Sequence, residues 1–167
     1  MRASTRAWTG SAIFLIVAPG VVAGLIPWLI TRWDVADFGV LNGFVAAAAL
    51  ILIVGGIWFL LHSFARFAGE GQGTPSPLSP TERLVIGGVY RYVRNPMYLS
   101  VVAILLGQCL LFGSWVLVVY TAFAITAVVL FVHYYEEPTL ARVYGAEYDR
   151  YRKNVPGWFP RSTPWHS

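Results

Sequence analysis

Two adjacent carboxylates, Glu136 and Glu137, follow the last long apolar stretch of the chain. At the C-terminal end of a helix the macrodipole disfavours negative charge, by about 0.3–1 kcal/mol for each group. Ionisable groups near the hydrocarbon boundary of a membrane are costly and are often functional. The pair therefore has two interpretations: a solvated helix end, or groups that bind a cationic ligand or pair with Arg91 or Arg94.

A second segment whose residue types suit chemistry, Arg94-Asn95-Pro96-Met97-Tyr98, precedes another apolar stretch. Asn95 can cap a helix, and Pro96 suits the first helical turn. Arg91 and Arg94 also fit an ordinary basic flank at a membrane surface, beside the tyrosines of an aromatic belt. Composition alone therefore explains this segment without a ligand.

A metal site is not expected. His133, Glu136 and Glu137 have the spacing i, i+3, i+4, but three groups at one helix end do not make a closed site. The single cysteine, Cys109, lies within an apolar stretch, and we expect it to be a packing residue.

The elements that must position these residues are membrane helices. The chain is 57% hydrophobic and only 12% charged, with a mean hydropathy of +0.61, whereas soluble domains are about 25% charged. A spanning helix needs about 20 apolar residues, and four stretches qualify, at roughly 11–30, 39–61, 96–113 and 115–135. We predict one all-α, polytopic membrane domain over 1–167, with about four transmembrane helices and a C-terminal helical hairpin.

Two segments outside the spans hold most of the polar chemistry, a loop over 62–95 and a tail over 136–167. The tail has apolar residues at helical spacing, namely Leu140, Val143, Tyr144, Tyr148 and Tyr151. This pattern predicts an amphipathic helix whose apolar face packs on the lipid boundary and against the 82–98 segment.

The basic residues orient the bundle. Eleven of the twelve lie before the first span, between the second and third, or after the fourth, and only Arg32 falls on the other side. By the positive-inside rule the face with eleven is cytoplasmic, with both termini inside, and we expect the plasma (inner) membrane. The net charge of +4 therefore reflects the orientation of the chain in the membrane and does not indicate a nucleic-acid partner.

Two parts of the sequence carry a family resemblance. The first is Gly88-Val89-Tyr90 with Arg94-Asn95-Pro96-Met97-Tyr98, followed by the helical hairpin. The second is listed in chain order as Glu136-Glu137, Leu140, Tyr144-Gly145, Glu147-Tyr148, Tyr151 and Val155-Pro156. In order and spacing the chain resembles the isoprenylcysteine carboxyl methyltransferases and the related phospholipid methyltransferases, over roughly residues 80–160.

The resemblance implies an integral membrane enzyme that uses S-adenosylmethionine without a Rossmann domain. The expected acceptor is a lipophilic small molecule or a lipid-modified group, a carboxylate or an amine, reached among membrane lipids. In such enzymes the cofactor lies in a cytoplasmic pocket that the tail closes over. The cofactor contacts that the resemblance implies here are Glu82, Arg83, Leu84, Val85, Tyr90, Asn95, Pro96, Met97, Tyr98 and Glu136. No general base is evident, so no catalytic residue is assigned.

Two positions depart from the family pattern. Asn95 stands where a histidine is often found, and an amide can form hydrogen bonds but cannot titrate. Val132 stands four residues before Glu136, where the carboxyl methyltransferases have an arginine. The second departure argues against a prenylcysteine carboxylate as the acceptor.

The chemistry suits these residue types. Methyl transfer from a sulfonium needs neither a metal nor a covalent intermediate, so the protein positions the reactants and excludes water. A carboxylate such as Glu136 suits the ammonium of the cofactor, and tyrosine rings suit the sulfonium.

Two other functions remain open at this point. A membrane NADPH-dependent reductase of the sterol-reductase type would need a denser basic cluster than Arg83, Arg91 and Arg94. A non-catalytic membrane scaffold or transporter subunit would have no cofactor pocket.

The charge asymmetry makes a prediction about topology. In a Cys109→Ser background, single cysteines at Gly71 and His166 should be labelled by an impermeant reagent only from the cytoplasmic side. A cysteine at Ser114 should be labelled only from outside, because it lies in the turn between the last two spans. Labelling of the Gly71→Cys protein from outside would contradict the orientation.

Overall fold

All the regular structure in the described residues is helical. The computed structural model describes residues 16–70 and 83–166, and these ranges contain no strand. The helices are α1 (Ile16–Thr31), α2 (Asn42–Glu70), α3 (Pro96–Phe112), α4 (Trp115–Phe131), α5 (Glu137–Tyr144) and α6 (Ala146–Asn154). Helix α1 contains a π-helical turn, Val21–Leu25, and a second such turn, Val132–Glu136, joins α4 to α5.

The apolar helices agree with the predicted fold class. Gly39–Glu70 and Trp115–Tyr144 are long and apolar enough to cross a membrane, while Ile16–Thr31 and Pro96–Phe112 are apolar but shorter. The described part of the chain is therefore all-α, as predicted, and its apolar helices are compatible with the predicted polytopic membrane protein. The start of the first predicted span, residues 11–15, lies outside the described residues.

Helix α2 is longer than the sequence predicted. It was expected to end near residue 61 and to lead into a loop over 62–95, but it continues to Glu70. No proline interrupts this stretch, and its last two turns bury Ser63, Phe64 and Ala68. Tertiary burial therefore extends the helix past the point where the apolar run weakens. The flexible part predicted after it, over 71–82, lies outside the described residues.

The hairpin between α3 and α4 forms where the sequence predicted it. Gly113 ends α3 with a φ of +57°, a left-handed conformation that favours glycine. The Ser114 side chain accepts a hydrogen bond from the Leu117 N–H and so caps α4. Cys109 faces Thr121 across the hairpin, with its Sγ 3.3 Å from Thr121 Oγ1.

Small residues let α2 and α3 approach closely. A Cβ added to Gly56 would lie 2.9 Å from the Ser100 carbonyl oxygen, and one added to Gly107 would lie 2.7 Å from the Ala49 carbonyl oxygen. Ala49 itself has no exposed surface. Helices in membranes associate through such small residues because lipid tails remove the hydrophobic driving force between them.

A proline in α1 frees two backbone carbonyls inside the apolar region. Pro27 has no N–H to donate to the carbonyl of Ala23, four residues earlier. In the π-helical turn the Ile26 N–H donates to Val21, so the Val22 carbonyl also loses its usual donor. Unpaired carbonyls are costly where no water can reach them.

Side chains from two other helices satisfy these carbonyls. Gln108 of α3 donates its Nε2–H to the Ala23 carbonyl at 2.7 Å. Tyr120 of α4 donates its hydroxyl to the Val22 carbonyl at 2.8 Å. The proline thus produces a specific connection between α1 and the α3–α4 hairpin, rather than a free kink.

The two ends of the bundle differ in charge. At one end the Ala36 N–H donates to the Leu111 carbonyl, which joins the α1–α2 link to the end of α3. At the other end the Gly87 N–H donates to Glu70 Oε2. Arg32 follows α1 at the first end, and the basic residues that precede α3 lie at the other. The fold separates the charges as the sequence predicts, and which end faces the cytoplasm stays a prediction.

Neighbouring glycines of α2 give a matched test of this packing. Gly56→Ala should destabilise the protein by about 1–3 kcal/mol, because its Cβ would overpack α3. Gly55→Ala should be neutral or stabilising by about 0.5–1 kcal/mol, because nothing lies within 4 Å of a Cβ there. Thermal unfolding in detergent measures both, at about 2–4 °C per kcal/mol for a chain of this size. Equal melting temperatures for the two variants would contradict the close approach.

Candidate functional site

A cavity of about 540 Å³ lies among the first four helices, within the range of about 300–1,000 Å³ typical of ligand sites. Its wall comes from α1, the second half of α2, the segment before α3, α3 itself, α4 and the second π-helical turn. The lining residues are Ala18, Pro19, Val22, Ile26, Leu60, Phe64, Phe67, Tyr90, Arg94, Asn95, Pro96, Met97, Tyr98, Val101, Val102, Leu105, Tyr120, Phe123, Ala124, Ala127, Val128, Phe131 and Glu136. Most polar groups of the wall lie at the start of α3 and at Glu136, so the cavity has a polar end and an apolar remainder.

Glu136 contributes the acidic group of the polar end. It is the last residue of the π-helical turn Val132–Glu136, and Pro138 follows it in α5. A π-helical turn holds one more residue than an α-helical turn, so it rotates the residues that follow about the helix axis. The Tyr98 hydroxyl donates to Glu136 Oε2 at 2.6 Å. Among the described residues Glu136 makes no ion pair, so its carboxylate has one neutral donor and faces the cavity.

Glu137 forms an ion pair with an arginine, one of the interpretations that the sequence left open for the two carboxylates. Its Oε1 lies 2.6 Å from Arg94 Nη1, and each side chain of this pair is only 12% exposed. Arg152 Nη2 also approaches Glu137 Oε2, at 3.3 Å. Arg91, the alternative partner in the sequence interpretation, donates instead to the Trp165 carbonyl at 2.7 Å. The adjacent carboxylates therefore divide: one lines the cavity, and one forms a largely buried ion pair.

Arg94 joins the segment before α3 to the tail. Its Nη1 donates to the Tyr148 hydroxyl at 2.9 Å, and its Nε donates to the Val155 carbonyl at 2.9 Å. Its backbone N–H donates to the Pro156 carbonyl, also at 2.9 Å. A fork of N–H donors suits this role, because one guanidinium can satisfy several oxygens at once.

The tail packs on protein rather than on lipid alone. Tyr148, Tyr151 and Val155 are buried together and contact Leu84 and Ile86, which precede α3. This confirms the predicted contact with the 82–98 segment.

The prediction of one continuous tail helix is wrong. The chain breaks at Gly145, which has a φ of +53°, into α5 and α6. Val143, within α5, is 54% exposed and so does not belong to the buried face that was predicted. Leu140 and Tyr144 remain on that face and are half-buried.

Asn95 holds an unsatisfied donor at the cavity wall. It occupies the capping position before α3, but its side chain makes no capping hydrogen bond, although Pro96 takes the first helical turn as predicted. Asn95 is 7% exposed, and its Nδ2 has no partner among the described residues. Because buried polar groups are nearly always hydrogen-bonded, an unpaired one in a cavity wall is suited to a ligand.

Gly157 lets the tail lie over this position. The Asn95 N–H donates to the Gly157 carbonyl at 3.3 Å. A Cβ at Gly157 would lie 3.2 Å from Arg94 Nη2 and 3.4 Å from Asn95 Nδ2. Trp158 follows, and its ring centroid lies 6.4 Å from that of Tyr98. The tail therefore packs against Arg94, Asn95 and Tyr98 of the polar end, although, apart from its first residue, no described part of the tail lines the cavity itself.

The tyrosines around the polar end remain neutral phenols near neutral pH. Burial raises the pKa of Tyr90 well above its ordinary value, and nearby Tyr151 adds to the effect. Burial likewise raises the pKa of Tyr151 and of Tyr148, although Arg94 opposes the shift in both. Tyr151 uses its proton to donate to the Tyr90 carbonyl at 2.7 Å. Tyr90 therefore offers the cavity a hydrogen-bond donor and a ring face, and not a base.

The predicted cofactor contacts fall into two groups. Six line the cavity: Tyr90, Asn95, Pro96, Met97, Tyr98 and Glu136. Three do not: Arg83 is exposed, Val85 is buried, and Leu84 packs against the tail. Glu82 lies outside the described residues. Binding of the cofactor by any of these residues stays a prediction.

Sequence reasoning missed the contribution of α1 and α2 to the wall. Phe64 and Phe67 lie in the part of α2 that was expected to be loop. Apart from their apolar neighbours, nothing in the sequence indicated that Val22 and Tyr120 line a cavity. Arg94 had been explained as a basic flank. The one signal available in the sequence is that Arg94 and the glutamates flank the predicted hairpin on the same side of the membrane, which is why pairing is one of the interpretations of the carboxylates.

The buried ion pair predicts how firmly the tail is held. Arg94→Gln leaves Glu137 without its close partner, and breaking a buried pair typically costs about 3–5 kcal/mol. We expect chymotrypsin to cleave the variant much faster after Tyr148 or Tyr151. Arg152→Gln is the control, because the Arg152 side chain is 50% exposed and such contacts contribute only about 0–1 kcal/mol. Equal cleavage rates for the two variants would refute the role of the pair.

Comparison with known proteins identifies the family. The family model described as phospholipid methyltransferase matches residues 44–147, which include most of α2, all of α3, α4 and α5, and both carboxylates. The comparisons with curated proteins and with solved structures gave no match. The matched range covers more than half of the chain and contains most of the cavity wall. The chain therefore belongs to the phospholipid methyltransferase family, a family of membrane methyltransferases within the superfamily that its sequence resembles.

Proposed function

We propose that this protein transfers a methyl group from S-adenosylmethionine to a lipophilic acceptor in the membrane. The observation that carries the proposal is one cavity with a polar end around Glu136 and an apolar remainder between membrane helices. A soluble, cationic cofactor suits the first part, and a hydrocarbon suits the second.

The residues of the polar end fit the cofactor chemically. Glu136 is a carboxylate without a cationic partner among the described residues, and it suits the cofactor's ammonium. Asn95 offers a buried, unpaired N–H, and Tyr90 and Tyr98 offer ring faces for a cation. S-adenosylmethionine, when bound, supplies a methyl group that its sulfonium already activates.

The remaining work belongs to the protein's own groups. Tyr98 orients Glu136 through its 2.6 Å hydrogen bond. The tail, held by Arg94 against the residues of the polar end, would limit the access of water, which strengthens electrostatic contacts there. No residue of the described cavity wall is assigned as a base, so positioning carries the mechanism that we propose.

An amine acceptor suits the wall better than a carboxylate. The one guanidinium that lines the described cavity, that of Arg94, is neutralised by Glu137. Val132 is 3% exposed at the position where carboxyl methyltransferases have an arginine. A carboxylate would therefore meet no unpaired cation there. The same scarcity of positive charge means that no observation favours a dinucleotide-dependent reductase.

We also propose that the end of the bundle with Arg91 and Arg94 faces the cytoplasm, with both termini inside. This orientation gives the soluble cofactor direct access to the polar end of the cavity. The acceptor would enter from the lipid.

A titration tests the proposal directly. S-adenosylmethionine should bind saturably to the detergent-solubilised protein, and Glu136→Gln should weaken binding by about 1.5–3 kcal/mol, the range for a charge-assisted hydrogen bond. Glu147→Gln is the matched control, since Glu147 is exposed on α6. Transfer of a labelled methyl group to an amine-headed lipid, and not to a prenylated cysteine carboxylate, is the expected activity.

Two results would contradict this function. Absence of saturable binding by the wild-type protein would remove the cofactor assignment. Equal, negligible effects of Glu136→Gln and Glu147→Gln would return Glu136 to the solvated-end interpretation.

A further inference from the structure

The apolar part of the cavity has a definite end. From the polar end around Glu136 it extends between α1 and α4 as far as Leu105 and Tyr120, and we call this part the apolar arm. At about 1.5 Å of helix rise per residue, Asn95 to Leu105 corresponds to about 15 Å along α3. Glu136 to Tyr120 corresponds to about 24 Å along α4. The arm is therefore long enough for a hydrocarbon chain, and the described lining residues of α3 and α4 reach no deeper than Leu105 and Tyr120.

Tyr120 is the lining residue of α4 that lies farthest from Glu136, and it is held in place. Its hydroxyl donates to the Val22 carbonyl, which Pro27 and the π-helical turn of α1 leave without an intrahelical donor. Breaking this hydrogen bond would leave a carbonyl unpaired in an apolar region, which is costly. The ring therefore cannot swing aside freely to admit a longer ligand.

The wall on the α1 side lies outside the family match. The family model covers residues 44–147, whereas Ala18, Val22 and Ile26 of α1 line the arm. The depth of the arm is consequently set partly by residues that the family match does not include.

We propose that the apolar arm takes the hydrocarbon chain of the acceptor and that Tyr120, fixed by the Val22 carbonyl, limits the length of chain that fits. Tyr120 is then a specificity-determining residue. The proposal rests on the proposed function in one respect: the chain belongs to the molecule that is methylated. Whether the arm measures chain length can be tested without cofactor or methyl transfer.

The probe is a series of straight-chain primary alcohols from hexanol to hexadecanol. They displace a fluorescent straight-chain alcohol, the alcohol derived from cis-parinaric acid, from the full-length protein in lipid nanodiscs. Affinity is referred to the free aqueous alcohol concentration. For the wild-type protein the affinity of the alcohols should rise about fourfold for each added methylene and then stop rising at a limiting chain length.

Two variants should move this limit in opposite directions. Tyr120→Leu shortens the side chain at this end of the arm, so the first alcohol beyond the wild-type limit should bind about fourfold more tightly to it. Ala124→Leu fills the arm one helical turn away and leaves the Tyr120–Val22 hydrogen bond in place, so the limit should become shorter. Tyr134→Leu, at a position that is 73% exposed, is the control and should keep the wild-type limit.

Two outcomes would overturn the inference: no alcohol displaces the probe from the wild-type protein, or the limit is the same in wild type, Tyr120→Leu and Ala124→Leu. S-adenosylmethionine binding is titrated in parallel. If the wild-type protein does not bind S-adenosylmethionine but still shows a chain-length limit, the proposed function is refuted and the arm remains a chain-binding site. Normal cofactor binding without any limit would refute the arm alone.

Discussion

The ion pair between Arg94 and Glu137 is the contact on which the rest of the site depends. It joins three parts of the chain, the segment before α3, the start of α5 and the tail, at one largely buried point. Burying two charges is costly, and their attraction offsets the cost only with good geometry and further hydrogen bonds. Here Tyr148 and the Val155 carbonyl supply those bonds. Arg94 pairs with Glu137 and holds the tail. Glu136, the residue next to Glu137, therefore remains the acidic group that lines the cavity.

The two π-helical turns share a neighbouring proline but have different consequences for the fold. Each is followed by a proline, Pro27 or Pro138, which cannot donate a backbone hydrogen bond. In α1 the freed carbonyls recruit Gln108 and Tyr120 from other helices. At the end of α4 the extra residue rotates the side chains that follow about the helix axis, and the two adjacent carboxylates point about 100° apart, as neighbours on a helix do. Irregular helical turns are frequent at functional sites, and both of these border the cavity.

The membrane setting explains why the cavity can exist. Small residues bring α2 and α3 into backbone contact, which makes a rigid pair against which other parts of the chain are placed. Helix α1 is held through hydrogen bonds of Gln108 and Tyr120, and it forms the opposite wall. The space that remains between α1 and α4 is therefore a consequence of specific polar contacts. A wall held by such hydrogen bonds can limit the length of the ligand that fits, whereas a loosely packed interface would change shape to accommodate a longer one.

The sequence by itself determined the membrane class, the hairpin at Gly113, the separation of basic residues, the family and most of the polar end. Each depends on local information: the length of an apolar run, a turn residue, or a motif such as Asn95-Pro96-Met97-Tyr98. Only the tertiary structure decided the different roles of Glu136 and Glu137, the break at Gly145, the helical end of α2 and the wall at Tyr120. These depend on contacts between residues far apart in the chain, such as Arg94 with Glu137 or Tyr120 with Val22. Propensity and periodicity do not report such contacts, because burial and the demand for hydrogen-bond partners override local preference.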